Sequence, residues 1–251
     1  MPPIAGAAVD GRREELVAAD GTRFAAYTAD AVTPSGAAML ILPDVRGLHP
    51  YFEELALRFA EAGIDALAID YFGRTAGTGE RGPDFDHQPH VGATEYESLM
   101  ADAKAGADAL RARPSVRAMF YVGFCFGGRL ALLAGTRTEL GAAGVIGFYG
   151  WPVGEGRAGT PAPAAVASDM RSPVLALFGG ADRGIPATAV DEFRDALDGA
   201  NVESEIVTYD GAPHSFFDRK AGEFAEASAD AWRRALEFVG RHTPAAEGRA
   251  A

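Results

Sequence analysis

Short apolar runs alternate with amphipathic stretches along most of the chain. The apolar runs lie at 38–42, 64–69, 116–122, 144–149, 174–178 and 202–209. Stretches with apolar residues at helical spacing lie at 51–62, 96–111, 127–135, 187–197 and 223–240. Near-continuous apolar strands that alternate with helices are typical of a mainly parallel sheet covered by helices on both faces. The pattern therefore predicts an α/β fold.

The first residues show a different pattern. Two β-like runs, 14–19 and 22–28, are separated by Asp20-Gly21, a dipeptide suited to the positive φ angles of a tight turn. We therefore predict an antiparallel hairpin at the N-terminal end of the fold.

Two stretches rich in glycine and proline, 73–93 and 151–172, follow predicted strands. We expect long loops there, above the carboxyl ends of the strands, where parallel sheets bind ligands. Neither stretch indicates a domain boundary. We predict one domain over residues 1–251, with flexible tails at 1–12 and 243–251.

The charge balance excludes some classes of partner. Asp and Glu outnumber Lys and Arg by 35 to 23, and the formal net charge of -12 repels nucleic acid and anionic membranes. No apolar stretch reaches the roughly 20 residues that span a bilayer. The single cysteine, and a start of the chain that lacks both the basic and the apolar region of a secretory signal peptide, favour a cytoplasmic protein. The sequence leaves open whether the protein is a monomer or a homodimer.

The candidate nucleophile is the single cysteine. An apolar run leads into Gly123-Phe-Cys-Phe-Gly127, and a helical stretch follows. This is the Gly-x-nucleophile-x-Gly elbow, in which glycines let the strand and the helix approach closely. The positive end of the helix also favours a thiolate at Cys125. A lone cysteine is otherwise often a small buried apolar residue.

A thiol nucleophile needs a base and an acid, and in this fold class they follow the nucleophile in the order acid, then histidine. Of the five histidines, His214 and His242 follow Cys125, and His242 lies at the end of the last predicted helix. His214 follows a predicted strand in a loop and is the better candidate. Asp182, just after another strand, is the candidate acid. Asp169 precedes its nearest strand, and a predicted helix contains or adjoins Asp191, Asp195 and Asp198.

These residues predict hydrolysis of an ester or lactone through an acyl-enzyme, with His214 moving the proton and Asp182 fixing its tautomer. We expect the backbone amides of Phe126 and Val45 to bind the oxyanion. No P-loop or dinucleotide-binding motif is present, and the histidines and carboxylates at 84–90 lack metal-ligand spacing. We therefore expect no cofactor and no metal, and a small-molecule ester or lactone as the only partner.

With these residues assembled, the chain resembles the dienelactone hydrolase family (carboxymethylenebutenolidases) of the α/β-hydrolase superfamily. The resemblance covers roughly residues 21–240. It depends on the following segments: Leu42-Pro-Asp-Val-Arg-Gly47, Asp70-Tyr-Phe-Gly-Arg74, Gly123-Phe-Cys-Phe-Gly-Gly128, Phe148-Tyr-Gly150, Gly179-Gly-Ala-Asp182 and Ala212-Pro-His-Ser-Phe216. It implies a Cys-His-Asp triad that opens an enol-lactone.

The resemblance also implies roles for further residues. Asp44 falls where the family places a glutamate that hydrogen-bonds the resting cysteine, although an Asp at a strand end also commonly caps the following loop. The family binds the substrate carboxylate with two arginines. Asp218 stands at the position expected for the first, with Arg219 next, and Arg74 or Arg81 is the candidate for the second. His49, Tyr149, Trp151 and Phe216 are candidates to line the pocket.

Two alternatives remain open at this point. A thioesterase or acyl transferase would use the same triad, and only a substrate panel would separate it from an ester hydrolase. A catalytically silent hydrolase fold used for binding would keep the elbow but would show no turnover of any activated ester.

Overall fold

The structure, a computed structural model, describes residues 9–82 and 84–245. Its centre is an eight-stranded sheet with the strand order β1-β2-β4-β3-β5-β6-β7-β8. The strands are β1 Gly11–Val17, β2 Arg23–Ala29, β3 Ala37–Leu42, β4 Asp65–Ile69, β5 Ala118–Phe124, β6 Gly144–Phe148, β7 Val174–Gly179 and β8 Ser204–Tyr209. The strands from β4 to β8 in this order pair in parallel, and β1 and β2 pair antiparallel. The predicted fold class and N-terminal hairpin are confirmed.

Helices cover the sheet. They are α1 Pro50–Glu61, α2 Gly73–Ala76, α3 Gln88–Gly92, α4 Tyr96–Arg111, α5 Phe126–Ala134, α6 Ala187–Gly199 and α7 Ala225–His242. The two glycines of strand β6 show that helices cover both faces of the sheet. A side chain at Gly144 would meet Phe238 of α7, whereas one at Gly147 would meet Leu132 of α5. Because these glycines are three residues apart on a strand, they face opposite sides of the sheet.

The parallel strands are buried on both faces. Every residue of β3, β4, β5, β6 and β7 is buried, so these strands read as continuous apolar runs. The chain leaves β3 for β4 on one side and later returns to place β5 on the other side. This reversal makes the carboxyl ends of β3 and β5 the expected place for a ligand crevice.

The structure corrects some boundaries. The stretch 73–93 is not a continuous loop, because it contains the short helices α2 and α3. The stretch 151–172 contains two short 3-10 helices, Arg157–Gly159 and Ala164–Asp169. Gly11 and Arg12 belong to β1 rather than to a flexible tail, because β1 pairs with β2 from its first residue. Residues 1–8 and 246–251 of the predicted tails lie outside the described residues.

In the part of the chain that the structure describes, no helix is both long enough and apolar enough to cross a membrane.

Candidate active site

Cys125 lies on a sharp turn between β5 and α5. Its backbone has φ 55° and ψ −112°, a conformation that is strained for a residue with a side chain. Its amide donates a hydrogen bond of 3.0 Å to the carbonyl oxygen of Phe148. A Cβ atom on Gly123 would overlap the carbonyl of Gly127, and one on Gly127 would overlap the carbonyl of Leu42. The glycines therefore permit the close strand-helix crossing that places Cys125 at the tip of the turn.

His214 and Asp182 meet at the same edge of the sheet. Asp182 follows β7, and His214 follows β8. The imidazole Nδ1 of His214 lies 2.6 Å from Oδ2 of Asp182. The other carboxylate oxygen, Oδ1, accepts a hydrogen bond of 2.8 Å from the amide of Gly184, which fixes the carboxylate. Because Nδ1 faces the carboxylate, Nε2 is the ring nitrogen left for another partner.

The environment favours the charged forms of both groups. Burial opposes protonation of the imidazole, but Asp182 and then Cys125 raise the pKa of His214 to about 10. Burial would raise the pKa of the Asp182 carboxyl, but the hydrogen bond from His214 brings it below its ordinary value. The carboxylate and the imidazolium thus stabilise each other.

Cys125 and His214 line one cavity of about 360 Å³. Four of the other residues expected at the site also line it: Val45, Phe126, Tyr149 and Trp151. Phe126 is the first residue of α5, where backbone N–H groups have no partner within the helix. Val45 comes shortly after β3, the strand next to β5. The cavity therefore lies at the crevice that the strand order indicates.

Tyr149 forms a strained and buried part of the cavity wall. Its backbone φ is 40°, and its side chain is fully buried. Its ring centroid lies 4.9 Å from that of His214. Burial, followed by the negative charge of Asp218, raises the pKa of its hydroxyl well above the ordinary value. The hydroxyl is buried and faces the carboxylate of Asp218.

A family model described as the dienelactone hydrolase family matches residues 24–243. The chain belongs to the dienelactone hydrolase family. The family acts on ester and lactone bonds, and this protein is accordingly a hydrolase of small ester or lactone substrates.

Curated relatives and solved structures agree with this family. A Yersinia pestis protein named "Putative carboxymethylenebutenolidase" is 30% identical over 237 residues, covering 91% of this chain and 88% of the relative. A Bradyrhizobium protein named "Probable 2-oxo-3-(5-oxofuran-2-ylidene)propanoate lactonase" is 26% identical over 230 residues, which are 88% of this chain and 90% of the relative. The crystal structure of a "Putative Dienelactone Hydrolase" from Klebsiella pneumoniae has a TM-score of 0.81 and 27% identity, covering 94% of this chain and 100% of that chain.

Asp44 hydrogen-bonds Arg46. Its Oδ2 accepts bonds of 3.0 Å and 2.6 Å from the guanidinium of Arg46. Its Oδ1 accepts one of 3.1 Å from Nε of Arg46 and one of 2.9 Å from the Arg46 amide. This arrangement caps the loop after β3, the alternative role considered for an Asp at a strand end. The Asp44 carboxylate thus forms an ion pair with Arg46.

The arginines expected to bind substrate lie outside the cavity that contains Cys125. Arg74 pairs with Asp102 at 2.5 Å and with Asp20 at 2.8 Å. Arg81 pairs with Asp70 at 2.9 Å. Each guanidinium thus already has a carboxylate partner, so the structure does not place either as a substrate contact. Arg81 lines a separate cavity together with Arg46 and His49.

Arg219 and Phe216, which were expected to contact the substrate, do not line the cavity that contains Cys125. Arg219 is exposed, and its guanidinium donates a hydrogen bond of 3.0 Å to the hydroxyl of Ser215. Phe216 is fully buried between the rings of Tyr149 and Tyr209, behind the cavity wall. Asp218, at the position where the family has an arginine, has a side chain that is only 1% exposed.

The sequence reasoning missed several residues of the cavity wall. Arg129, Glu155, Gly156, Arg157, Gly184 and Ile185 also line the cavity. One signal was present for Arg129, which is the only charged residue in the otherwise apolar helix α5. The others lie in loops or in the short 3-10 helix Arg157–Gly159, whose positions depend on contacts distant in sequence. Within the described residues, no group of three or more His, Cys, Asp and Glu side chains could hold a metal ion.

Proposed function

We propose that this hydrolase cleaves its ester or lactone through a covalent acyl-enzyme on Cys125, with His214 as the proton carrier and Asp182 as the residue that orients it. The observation that carries the proposal is the 2.6 Å contact between His214 Nδ1 and Asp182 Oδ2, in a cavity that His214 shares with Cys125. The same contact directs Nε2 of His214 toward the reacting groups.

In the first half-reaction, the Cys125 thiolate attacks the carbonyl carbon of the substrate and forms a C–S bond. The oxyanion that develops would be bound by the backbone amides of Val45 and Phe126, both at the cavity. His214 gives its Nε2 proton to the leaving oxygen as the C–O bond breaks. In an ester the alcohol departs, and in a lactone it stays attached to the acyl group.

In the second half-reaction, water attacks the thioester carbon. His214 accepts a proton from this water, and the C–S bond breaks to release the carboxylic acid and restore the thiolate-imidazolium pair. Asp182 stabilises the imidazolium before acylation and after deacylation, which agrees with the raised pKa of His214, about 10. A thiolate nucleophile favours substrates with good leaving groups, such as enol esters and activated lactones.

The wall of the cavity indicates the size and polarity of the acyl group. Val45, Phe126, Trp151 and Ile185 supply apolar surface around a space of about 360 Å³. This is near the lower end of the range for pockets that hold small organic ligands. We therefore propose a small acyl group, held mainly by apolar contacts.

The test compares variants on a panel of short enol esters, lactones and thioesters. We expect Cys125→Ala and His214→Asn each to lower kcat/KM by about 10³-fold or more, because members of a triad act as a unit. His242→Asn is the matched control, since His242 is the last residue of α7 and contacts Glu203. It should change kcat/KM by less than about twofold.

Unchanged kcat/KM in Cys125→Ala would contradict the proposal. So would the absence of turnover by the wild-type protein on every activated ester, which is the result expected of a catalytically silent binding protein. Faster turnover of thioesters than of oxygen esters would keep the triad but reassign the substrate class.

A further inference from the structure

Arg129 is a buried cation on the helix that carries the nucleophile. It lies on α5, and its amide donates a hydrogen bond of 3.1 Å to the carbonyl oxygen of Cys125. The residue is only 3% exposed, and burial lowers the pKa of its guanidinium to about 10. Within residues 9–82 and 84–245, no carboxylate lies within ion-pair distance of it. A buried charge without a counter-charge is costly, so other contacts must offset this cost.

Those contacts are backbone carbonyls of one loop segment, 151–161. The guanidinium donates hydrogen bonds to the carbonyl oxygens of Trp151 at 3.0 Å, Val153 at 3.2 Å, Gly154 at 2.7 Å, Thr160 at 3.0 Å and Pro161 at 2.8 Å. The planar guanidinium can satisfy acceptors in several directions at once, which a lysine ammonium on a flexible stem cannot reproduce. One side chain therefore holds both ends of the segment.

The middle of the segment packs directly on the guanidinium. A Cβ atom built on Gly156 would overlap Oγ1 of Thr160 and would lie 2.5 Å from Nε of Arg129. Nε of Arg129 is buried and has no hydrogen-bond partner in the described part of the chain. The loop is therefore folded around Arg129, and a side chain at position 156 would push the two apart.

The same segment forms one wall of the cavity above Cys125. Trp151, Glu155, Gly156 and Arg157 line the cavity, and so does Arg129. The other walls belong to the turn after β3, to α5 and to the loops after β7 and β8, which the sheet and the Asp182–His214 contact hold in place. Most hydrogen bonds that hold the wall formed by 151–161 come instead from the side chain of Arg129, and one more comes from the amide of Ala164 to the carbonyl oxygen of Pro152 at 3.0 Å.

We propose that Arg129 is a positioning residue that fixes the 151–161 wall at a set distance from Cys125 and so limits the size of the group that can reach the sulfur. The role in substrate choice depends on the proposed function of Cys125. The position of the wall does not depend on it. Releasing the wall should therefore change selectivity for size more than the reactivity of the sulfur.

The test uses two alkylating reagents on the Arg129→Lys variant: iodoacetamide and a bulky N-aryl iodoacetamide. Because the chain has one cysteine, loss of free thiol reports Cys125 alone. For each protein we divide the alkylation rate constant of the bulky reagent by that of iodoacetamide. In Arg129→Lys we expect this ratio to be about tenfold higher than in the wild type, the scale on which pocket shape discriminates between similar groups. The rate with iodoacetamide itself should change by less than about threefold, because the Asp182–His214 pair is untouched.

Arg171→Lys is the matched control. Arg171 also donates to loop carbonyls, those of Ser168 and Met170, but it is exposed and does not line the cavity. Its ratio should equal that of the wild type. Should Arg129→Lys fail to fold, Gly156→Ala decides, because its methyl group displaces the wall while the arginine remains. This variant should raise the ratio in the same direction.

A ratio that falls, or that stays within about twofold of the wild type, overturns the proposal. An equal loss of both rates also overturns it, since that result would place the effect on the thiol. Ester turnover is measured in parallel on acetyl and hexanoyl esters. If the wild type is alkylated but hydrolyses neither ester, the proposed function fails while the size test stands. If both esters are hydrolysed and the ratio is unchanged, only the role of Arg129 fails.

Discussion

At the scale of single residues, His214 and His49 show how neighbours decide the protonation of a buried imidazole. Asp182 lies 2.6 Å from His214, and the pKa of His214 is raised to about 10. The carboxylate near His49 is Asp44, at 3.9 Å, but Arg46 already pairs with it. Burial and then the charge of Arg46 lower the pKa of His49 to about 4. Of these two histidines, His214 is therefore the one that carries a proton at neutral pH.

This difference predicts the pH dependence of the reaction. Because the pKa of His214 is raised, the imidazolium persists up to about pH 10, and kcat/KM should fall only as the pH rises through that value. Asp182→Asn removes the carboxylate that raises the pKa, so the fall should move to lower pH. The maximal rate should drop by about 10²- to 10⁴-fold, because the tautomer is no longer fixed.

The measurement is kcat/KM against pH for the wild type, for Asp182→Asn and for a control variant. The control, Asp210→Asn, removes an exposed carboxylate from the loop before His214. It should leave the profile in place. An alkaline limb at the same pH in Asp182→Asn and the wild type would show that Asp182 does not set the protonation of His214.

At the scale of elements, the elbow between β5 and α5 requires the backbone of α5 to pass very close to the end of β3, next to Cys125. A Cβ atom on Gly127 would overlap the backbone carbonyls of Leu42 and Pro43, which cannot move without shifting β3. We expect Gly127→Ala to lower the free energy of unfolding by about 3 kcal/mol, as overpacking of a rigid interior does. Gly199→Ala is the control, because its Cβ would meet nothing within 4 Å.

Chemical denaturation of both variants measures the effect. At the last position of α6, alanine should be neutral or stabilise by up to about 1 kcal/mol, since glycine is a poor helix former. Equal stability of Gly127→Ala and the wild type would mean that the strand and the helix can separate without cost.

The elements also show what the sequence could predict. The parallel strands were predictable because residues buried on both faces form uninterrupted apolar runs, and the hairpin because Asp20-Gly21 specifies its turn. Helices α2 and α3 have 4 and 5 residues, too few for a helical period to show in the sequence. The Arg46–Asp44 pair and the contacts of Arg129 could not be predicted, because such interactions depend on how loops fold over the finished sheet.

At the scale of the whole molecule, Arg74 connects three parts of the fold. Its guanidinium in α2 pairs with Asp102 of α4 and with Asp20 of the β1–β2 turn. The Asp102 side chain is 1% exposed and its second oxygen, Oδ1, has no partner in the described part of the chain. Burial raises the pKa of Asp102 to about 6, although Arg74 acts against this. The arginine therefore stabilises a carboxylate that would otherwise be buried alone.

Arg74→Met should accordingly lower the free energy of unfolding by about 3 kcal/mol, the scale of breaking a buried ion pair. Asp20→Asn, which removes only the exposed partner, should cost less than about 1 kcal/mol. The KM for ester substrates should stay within about twofold in both variants. A rise in KM of tenfold or more with unchanged stability would instead make Arg74 a substrate-binding residue.

The fold as a whole brings Cys125, His214 and Asp182 together from the ends of three strands, β5, β8 and β7. The most direct test of their proposed roles is the intact mass of protein that is mixed with an activated acetyl ester and quenched in acid during turnover. We predict one acetyl adduct on wild-type protein, located at Cys125 and removed by hydroxylamine, and none on Cys125→Ala. Steady hydrolysis without this adduct, or an adduct on another residue, would contradict the account.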